Sequence, residues 1–174
     1  PQGVLCLISM KNWSLSKMLE DADKPLFMIL EDLQDPGNLG TIIRTGEGAG
    51  VTGVILSKTS VDVFNPKVIR STMGSVYRVP VLYVDSIEEE VLPMLKTHGI
   101  TTYAAHLKGK NNYDQEDYGK RTAFFIGNEG NGLSDELTAC ADTLIKIPMA
   151  GQVESLNAAM ASGILMYEAA RQRR

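Results

Sequence analysis

The chain has 174 residues, of which 44% are hydrophobic and 22% charged, with a formal net charge of −4. That is the length of one domain with a sizeable core, in the composition range of a water-soluble globular protein. No apolar run is long enough for a membrane span and no signal peptide opens the chain, and the acidic balance excludes a uniformly basic nucleic-acid binder.

Apolar, β-branched runs bounded by Gly, Pro, Asp or Asn alternate with helical patterns along the chain. Strands are expected near Val4–Ile8, Leu26–Leu30, Gly53–Leu56, Val81–Val84, Thr101–Ala105, Ala123–Ile126 and Thr143–Ile147. Helices are expected over Ser14–Glu20, Asn38–Ala49, Pro66–Met73, Ile87–Thr97, Asp135–Ala141 and Glu154–Arg171. Strand and helix in alternation imply an α/β fold, a parallel sheet with helices on both faces. Cys6 and Cys140 lack metal-ligand spacing and sit among apolar residues, so both are expected to be small buried hydrophobes in a reducing compartment. The opening Pro1 suits a trimmed chain or a piece of a longer protein. Any phosphate-binding footprint must be local or come from a missing segment.

Four loops could carry chemistry. In the first, Leu30 to Arg44, a strand ends, Pro36-Gly37 turns the chain, and Asn38 is placed to cap the next helix. Arg44 follows the apolar pair Ile42 and Ile43. It is either a solvated helix arginine or a cation that holds phosphate through its planar fork. Just beyond, Gly48-Ala-Gly50-Val-Thr-Gly53 matches the dinucleotide pattern, but these glycines end a helix and precede a strand. The phosphate cradle needs the reverse order, so a helix C-cap and turn are expected instead.

The second loop, Asn65 to Pro80, carries Lys67, Arg70 and Arg78 with no acid among them. Ser71, Ser75 and Tyr77 are interleaved, a pattern that could meet a phosphate backbone. Further on, Glu88-Glu89-Glu90 opens a helix as a solvated face that suits the helix dipole. The third loop, Phe124 to Asp135, feeds from an apolar strand into Gly127, Gly130 and Gly132, with Ser134 capping the next helix. Its glycines let backbone approach a flat ligand, and Glu129 stands in its middle, where a solvated turn acid and a functional one are equal readings. The fourth runs from Ile147-Pro-Met through a glycine turn to Ser155-Leu-Asn157 at a helix entry. Polar groups there, at a strand's C-terminal end, stand where open α/β sheets bind ligands. In the last helix Leu156, Ala159, Met160, Gly163, Ile164, Tyr167 and Ala170 form an apolar stripe that could serve the core, a partner helix, or both. His98 and His106 form no ligand set; His106, after a strand, could line a pocket. No metal centre is expected.

Together these residues resemble the SpoU (TrmH-type) family of RNA ribose 2′-O-methyltransferases, within the SPOUT superfamily. The resemblance runs from about Pro25 to Arg171. Asn38-x-Gly40-x-x-x-Arg44 is similar to the family's first motif, Ile126-Gly-Asn-Glu-Gly130 to the second, and Ile147-Pro-Met with Ser155-Leu-Asn157 to the third. It implies a SPOUT-type sheet whose C-terminal part is threaded into a deep trefoil knot, which no periodicity could reveal. It also implies a homodimer that binds S-adenosyl-L-methionine, with Gly127, Ile147 and Leu156 on the cofactor. Asn38, Arg44, Glu129, Ser155 and Asn157 would form the catalytic group. Family mechanism offers Arg44 as base or phosphate-assisted proton acceptor. A guanidinium releases its proton too reluctantly to act as a base unaided, so positioning is an equal reading. The resemblance implies a cytoplasmic enzyme acting on structured RNA. Ribosomal RNA of the large subunit (23S) is favoured over tRNA, because residues 1–174 look like the catalytic domain alone, without a separate N-terminal RNA-binding domain and without a long basic tail. A non-catalytic RNA-binding module of the same fold is the competing expectation.

Overall fold

Leu26-Phe-Met-Ile-Leu30 is apolar at every position, as a strand covered on both faces must be, and all five residues are buried. In the computed structural model, which describes residue 3 and residues 7–174, this run is β1 of a seven-stranded sheet. The other strands are β2 (Gly53–Ser57), β3 (Val81–Val84), β4 (Thr101–Ala105), β5 (Asn111–Asn112), β6 (Thr122–Ile126) and β7 (Thr143–Lys146). All pair in parallel, in the order β3-β2-β1-β6-β4-β7-β5. The two residues of β5 had no apolar pattern to announce them; pairing with β7 alone defines that strand. Most of the strand expected over Val4–Ile8 lies outside the described residues, as does Cys6. Its last two residues, Leu7 and Ile8, are exposed and unpaired.

The helices are α1 (Leu15–Glu20), α2 (Pro36–Ala49), α3 (Pro66–Thr72), α4 (Leu92–Thr97), α5 (Asp135–Cys140) and α6 (Ala158–Gln172). The alternation of β1 divides the core. Leu26, Met28 and Leu30 face one cluster with Leu39, Ile42 and Ile43 of α2, Val68 of α3, and Leu165 and Met166 of α6. Phe27 and Ile29 face the other, with Met18 of α1, Leu95 of α4 and Leu137 of α5. Helices therefore cover both faces, as the alternation implies.

Several local expectations are corrected. Asp35, not Asn38, caps α2: its carboxylate accepts the Asn38 amide at 2.8 Å and Pro36 opens the helix. Proline fits there because its missing N–H would have no helical partner anyway. The helix expected over Ile87–Thr97 begins with a π-helical turn, Ile87–Val91, before α4. There the Leu92 amide reaches back five residues to the Ile87 carbonyl. Pro93 next to it offers no amide, which weakens the ladder at that point. Glu90 is more than a solvated acid, since its carboxylate accepts the Asp85 and Ser86 amides at 2.8 and 2.9 Å. Helix α6 starts at Ala158, not Glu154, because the Asn157 side chain accepts the Ala159 and Met160 amides and fixes the entry. Its buried stripe is Ala158, Ala159, Ser162, Leu165, Met166 and Ala169, sharing only Ala159 with the expected one; Met160 and Tyr167 are exposed. Cys140, at the last position of the short α5, is exposed rather than buried.

The dinucleotide-like glycines do end α2, with Gly50 in the left-handed region at φ 78°. Among the described residues no helix is long and apolar enough to cross a membrane.

Candidate functional site

The strand order turns at β1 and β6. From β1 the chain moves one way to β2 and β3, while β6, β4, β7 and β5 lie on the other side. A crevice opens at such a switch point beyond the C-terminal strand ends, because successive connections leave in opposite directions. The loops after β1 and β6 meet there through Glu129. Its carboxylate accepts the Gln34 and Asp35 amides at 3.0 and 2.9 Å and the Asn38 side-chain amide at 2.9 Å. Burial works against that charge, but the bonds from Asn38 and from the Gln34, Asp35 and Glu129 amides hold the Glu129 carboxyl below its ordinary range. Glu129 thus joins the β6 loop to the mouth of α2.

Asn38 carries the connection further. Its carbonyl oxygen accepts the Asn157 side-chain amide at 2.9 Å, and Asn157 in turn caps α6. Asn38 is buried, so its two hydrogen-bonding ends cannot turn to water instead. One chain of hydrogen bonds, Asn157 to Asn38 to Glu129, therefore ties three loops that are far apart in sequence.

A cavity of about 290 Å³ lies against this junction. Gly127, Glu129, Ile147, Ser155 and Leu156 line it, with Met149, Glu154, Ala158, His106 and Lys146 around them. A Cβ at Gly127 would collide with the backbone of Gly132 and Leu133, so only glycine lets the β6 loop fold back this closely. Asn128 shapes the same loop: its side-chain oxygen accepts the Gly130 and Asn131 amides at 2.8 and 3.0 Å while its NH₂ donates to the Asp32 carbonyl at 2.8 Å. His106 follows β4 and its Nδ1 accepts the Lys108 amide at 3.0 Å. Ser155 is exposed at the rim.

The five expected catalytic positions therefore divide. Asn38, Glu129 and Asn157 are joined directly, Ser155 lines the cavity, and Arg44 belongs to neither group. Arg44 lies exposed on α2 and makes no hydrogen bond or ion pair among the described residues. The basic cluster of the second loop is also not what the sequence suggests. Acids from α2 and its cap reach it: Arg78 is paired with Glu47, and Lys67 lies 3.7 Å from Asp35. Only Arg70 of the three has no ion pair among the described residues.

Asn128, Met149 and Glu154 went unassigned in the sequence. Asn128 and Met149 lay inside the quoted motifs, and the Asn-x-Gly spacing is a turn signal that could have marked the former. Glu47 gave no signal, because its partners lie about thirty residues away.

The family model described as the SpoU rRNA Methylase family matches residues 25–167. An uncharacterized tRNA/rRNA methyltransferase of Synechocystis is 37% identical over 172 residues, which is 99% of this chain and 61% of that protein. The 23S rRNA (guanosine(2553)-2′-O)-methyltransferase RlmP of Bacillus subtilis is 37% identical over 146 residues, 80% of this chain and 56% of that one. Among solved structures, the SpoU methyltransferase AviRb of Streptomyces viridochromogenes, in complex with the cofactor AdoMet, superimposes with a TM-score of 0.86 at 32% identity, covering 94% of this chain and 63% of its own. The chain thus spans roughly three fifths of the length of each of these relatives.

Proposed function

Because the chain belongs to the SpoU rRNA methylase family, we propose that it transfers a methyl group from S-adenosylmethionine to a ribose 2′-hydroxyl of RNA. The observation that carries this reading is the junction of three loops, Asn157–Asn38–Glu129, at the edge of a glycine-walled cavity. The residues present fit the cofactor. Ile147, Met149, Leu156 and Ala158 supply apolar cover for a flat base, and Glu129 and Glu154 supply negative charge for a cationic donor. When bound, the sulfonium supplies an activated methyl group and its own leaving group, so no covalent enzyme intermediate is needed. AviRb, a relative of known structure, holds AdoMet.

The protein's part is then to position the ribose. Asn38, Glu129, Ser155 and Asn157 orient the hydroxyl and the cofactor by hydrogen bonds. Arg44 draws the substrate phosphate and hydroxyl into line, since a guanidinium is a poor base but a strong bidentate partner for phosphate. The hydroxyl proton passes to a phosphate oxygen as the methyl group is taken up and the thioether leaves.

Arg44 is not among the residues lining the cavity of its own chain. The face of α2 bearing Thr41, Arg44 and Gly48 runs beside the exposed face of α6. Gly48 there approaches the Tyr167 hydroxyl, and Met160 is 60% exposed. An unpartnered face of this kind supports a homodimer in which Arg44 of one copy serves the cavity of the other. The reading includes a C-terminal trefoil knot and a catalytic domain that works in the cytoplasm with an RNA-binding segment beyond these residues. Ribosomal RNA of the large subunit is the substrate we favour, since RlmP is named for it. A tRNA substrate is the alternative, as the Synechocystis relative is named for both.

Calorimetric titration with S-adenosylmethionine, with NAD as control, tests the cofactor. One site per chain for the former and none for the latter is expected. Arg44→Ala should abolish methyl transfer with cofactor affinity unchanged. Weakened cofactor binding with transfer preserved would refute the assignment.

A further inference from the structure

Arg44 has two flanks. On one, α6 packs against α2 through Gly46 near Met166, Gly48 near Tyr167 and Thr45 near Gly163. On the other lie α3 and the turn that follows it. Residues 40, 44 and 47 fall at i, i+4 and i+7 and so share one helix face. Gly40 meets Ser71 and the Val68 carbonyl so closely that a Cβ there would clash. Glu47 meets Ser75, whose hydroxyl donates to it at 2.5 Å, and Arg78, whose Nε and Nη2 both donate to its carboxylate. Arg44 stands between these two fixed points.

The turn itself is held in an unusual shape. Met73 and Gly74 are both left-handed, at φ 51° and 90°, and a 3₁₀ turn, Ser75–Tyr77, follows. For methionine that conformation is unfavourable and persists only where surroundings enforce it. The Arg78 guanidinium lies over Gly74 and is anchored to Glu47, so the ion pair closes the turn. What the turn then presents outward is apolar and aromatic: Met73 is 69% exposed and Tyr77 51%. Of the cations on α2, α3 and this turn, Arg44 and Arg70 have no ion pair among the described residues, whereas Lys67 and Arg78 are paired.

We propose that the turn Met73–Arg78 is the second wall of the RNA site, on which Tyr77 stacks a base flanking the target nucleotide, and that Glu47 is the positioning residue that holds it beside Arg44. The occupant is a single-stranded RNA segment. Exposed rings flanked by unpaired guanidinium groups suit unstacked bases and their phosphates. This rests on the RNA methyltransferase reading above, and it places substrate recognition on the flank of α2 away from α6.

The test compares Tyr77→Ala, Tyr77→Phe and Glu47→Gln with the unaltered chain. Transfer of labelled methyl groups to transcribed 23S ribosomal RNA and tRNA is measured together with filter retention of the same RNAs, S-adenosylmethionine binding and oligomeric state. Tyr77→Ala should raise KM for RNA about tenfold, the scale of one lost stacking contact. Its kcat, cofactor affinity and oligomeric state should be unchanged. Tyr77→Phe should behave as the unaltered chain because the ring remains. Glu47→Gln should raise KM in the same sense, and the double substitution Glu47→Gln with Arg78→Gln, which restores a neutral pair, should recover part of the loss. An unchanged KM in Tyr77→Ala overturns the proposal, and so does a loss of oligomeric state, which would make this surface an interface between copies. If the unaltered chain retains RNA but transfers no methyl group, the methyltransferase reading fails on its own. The wall then stands or falls on whether Tyr77→Ala loses that retention. No retention by the unaltered chain overturns the wall, and the methyltransferase reading is then judged by methyl transfer alone.

Discussion

Asn38→Asp changes one atom of a buried side chain and should be among the more costly single substitutions in the protein. The Asn38 NH₂ donates to Glu129 Oε1 at 2.9 Å, and a carboxylate there would set oxygen against oxygen at that distance. Two unit charges so placed repel by about 6 kcal/mol at an effective dielectric constant of about 20. Glu129 is exposed to solvent and can swing away, so less than half of this survives, roughly 2–3 kcal/mol including the lost hydrogen bond. The Asn157 bond is retained, because its amide still finds an acceptor at position 38. For a chain of this size each kcal/mol lowers Tm by about 2–4 °C. Urea and thermal unfolding of the variant at pH 7 should therefore show a loss of roughly 4–12 °C.

The pH dependence makes the test specific. In the unaltered protein the Glu129 carboxyl is held below its ordinary range: burial opposes the charge, and the Asn38 and amide bonds outweigh it. Its contribution is present above the ordinary carboxylate range and is lost only as pH falls through that depressed value. In Asn38→Asp the paired carboxyls acquire a raised pKa instead. Their shared proton is retained below that value and removed as pH rises through it, so the deficit opens with rising pH and closes in acid. Adding Glu129→Gln places an amide opposite the new carboxylate and should recover at least half the loss at pH 7. A variant as stable as the parent at pH 7, or a deficit that neither acid nor the second substitution relieves, would refute the hydrogen-bond chain as the element joining these loops.

Gly127→Ala should destabilise by about 1–3 kcal/mol and abolish cofactor binding. Its Cβ meets the backbone of Gly132 and Leu133, which cannot rotate away; calorimetry with S-adenosylmethionine checks it. Arg173→Met should lower Tm, because that guanidinium donates to the carbonyls of Lys24, Pro25, Tyr118 and Lys120 and ties the end of α6 to the starts of β1 and β6. A loss of about 2 kcal/mol is expected, read by urea unfolding. Burial pushes the hydroxyls of Tyr83 and Tyr103 up to about 12 and that of Tyr118 higher still. A raised folded value means stability that is complete below the ordinary tyrosine range and is lost as pH rises through the folded value. Unfolding followed from pH 9 to pH 12 should show the decline beginning near pH 10.

The sheet and its helices were legible in the sequence for a plain reason. Burial makes parallel strands apolar, and six of the seven carry at least two adjacent apolar residues. The exception, β5, is two asparagines whose pairing depends on a neighbour, and no local pattern encodes that. Helix ends were legible only where the capping residue stood out, as Ser134 did for α5. At α2 two capping residues, Asp35 and Asn38, stood three apart, and the fold gave the cap to Asp35 because Asn38 was engaged elsewhere.

By itself, the sequence determined the fold class, the three motifs and the glycine loops, because these rest on local spacing and residue type. Only the tertiary structure decided how they combine. It turned Glu129 from a loop acid into the acceptor for two amides and Asn38. It neutralised Arg78 with an acid about thirty residues away, and it left Arg44 on an exposed helix face without an ion pair among the described residues. Charge and hydrogen-bond partners are settled by distance in space, and a linear pattern carries distance only within a few turns of chain.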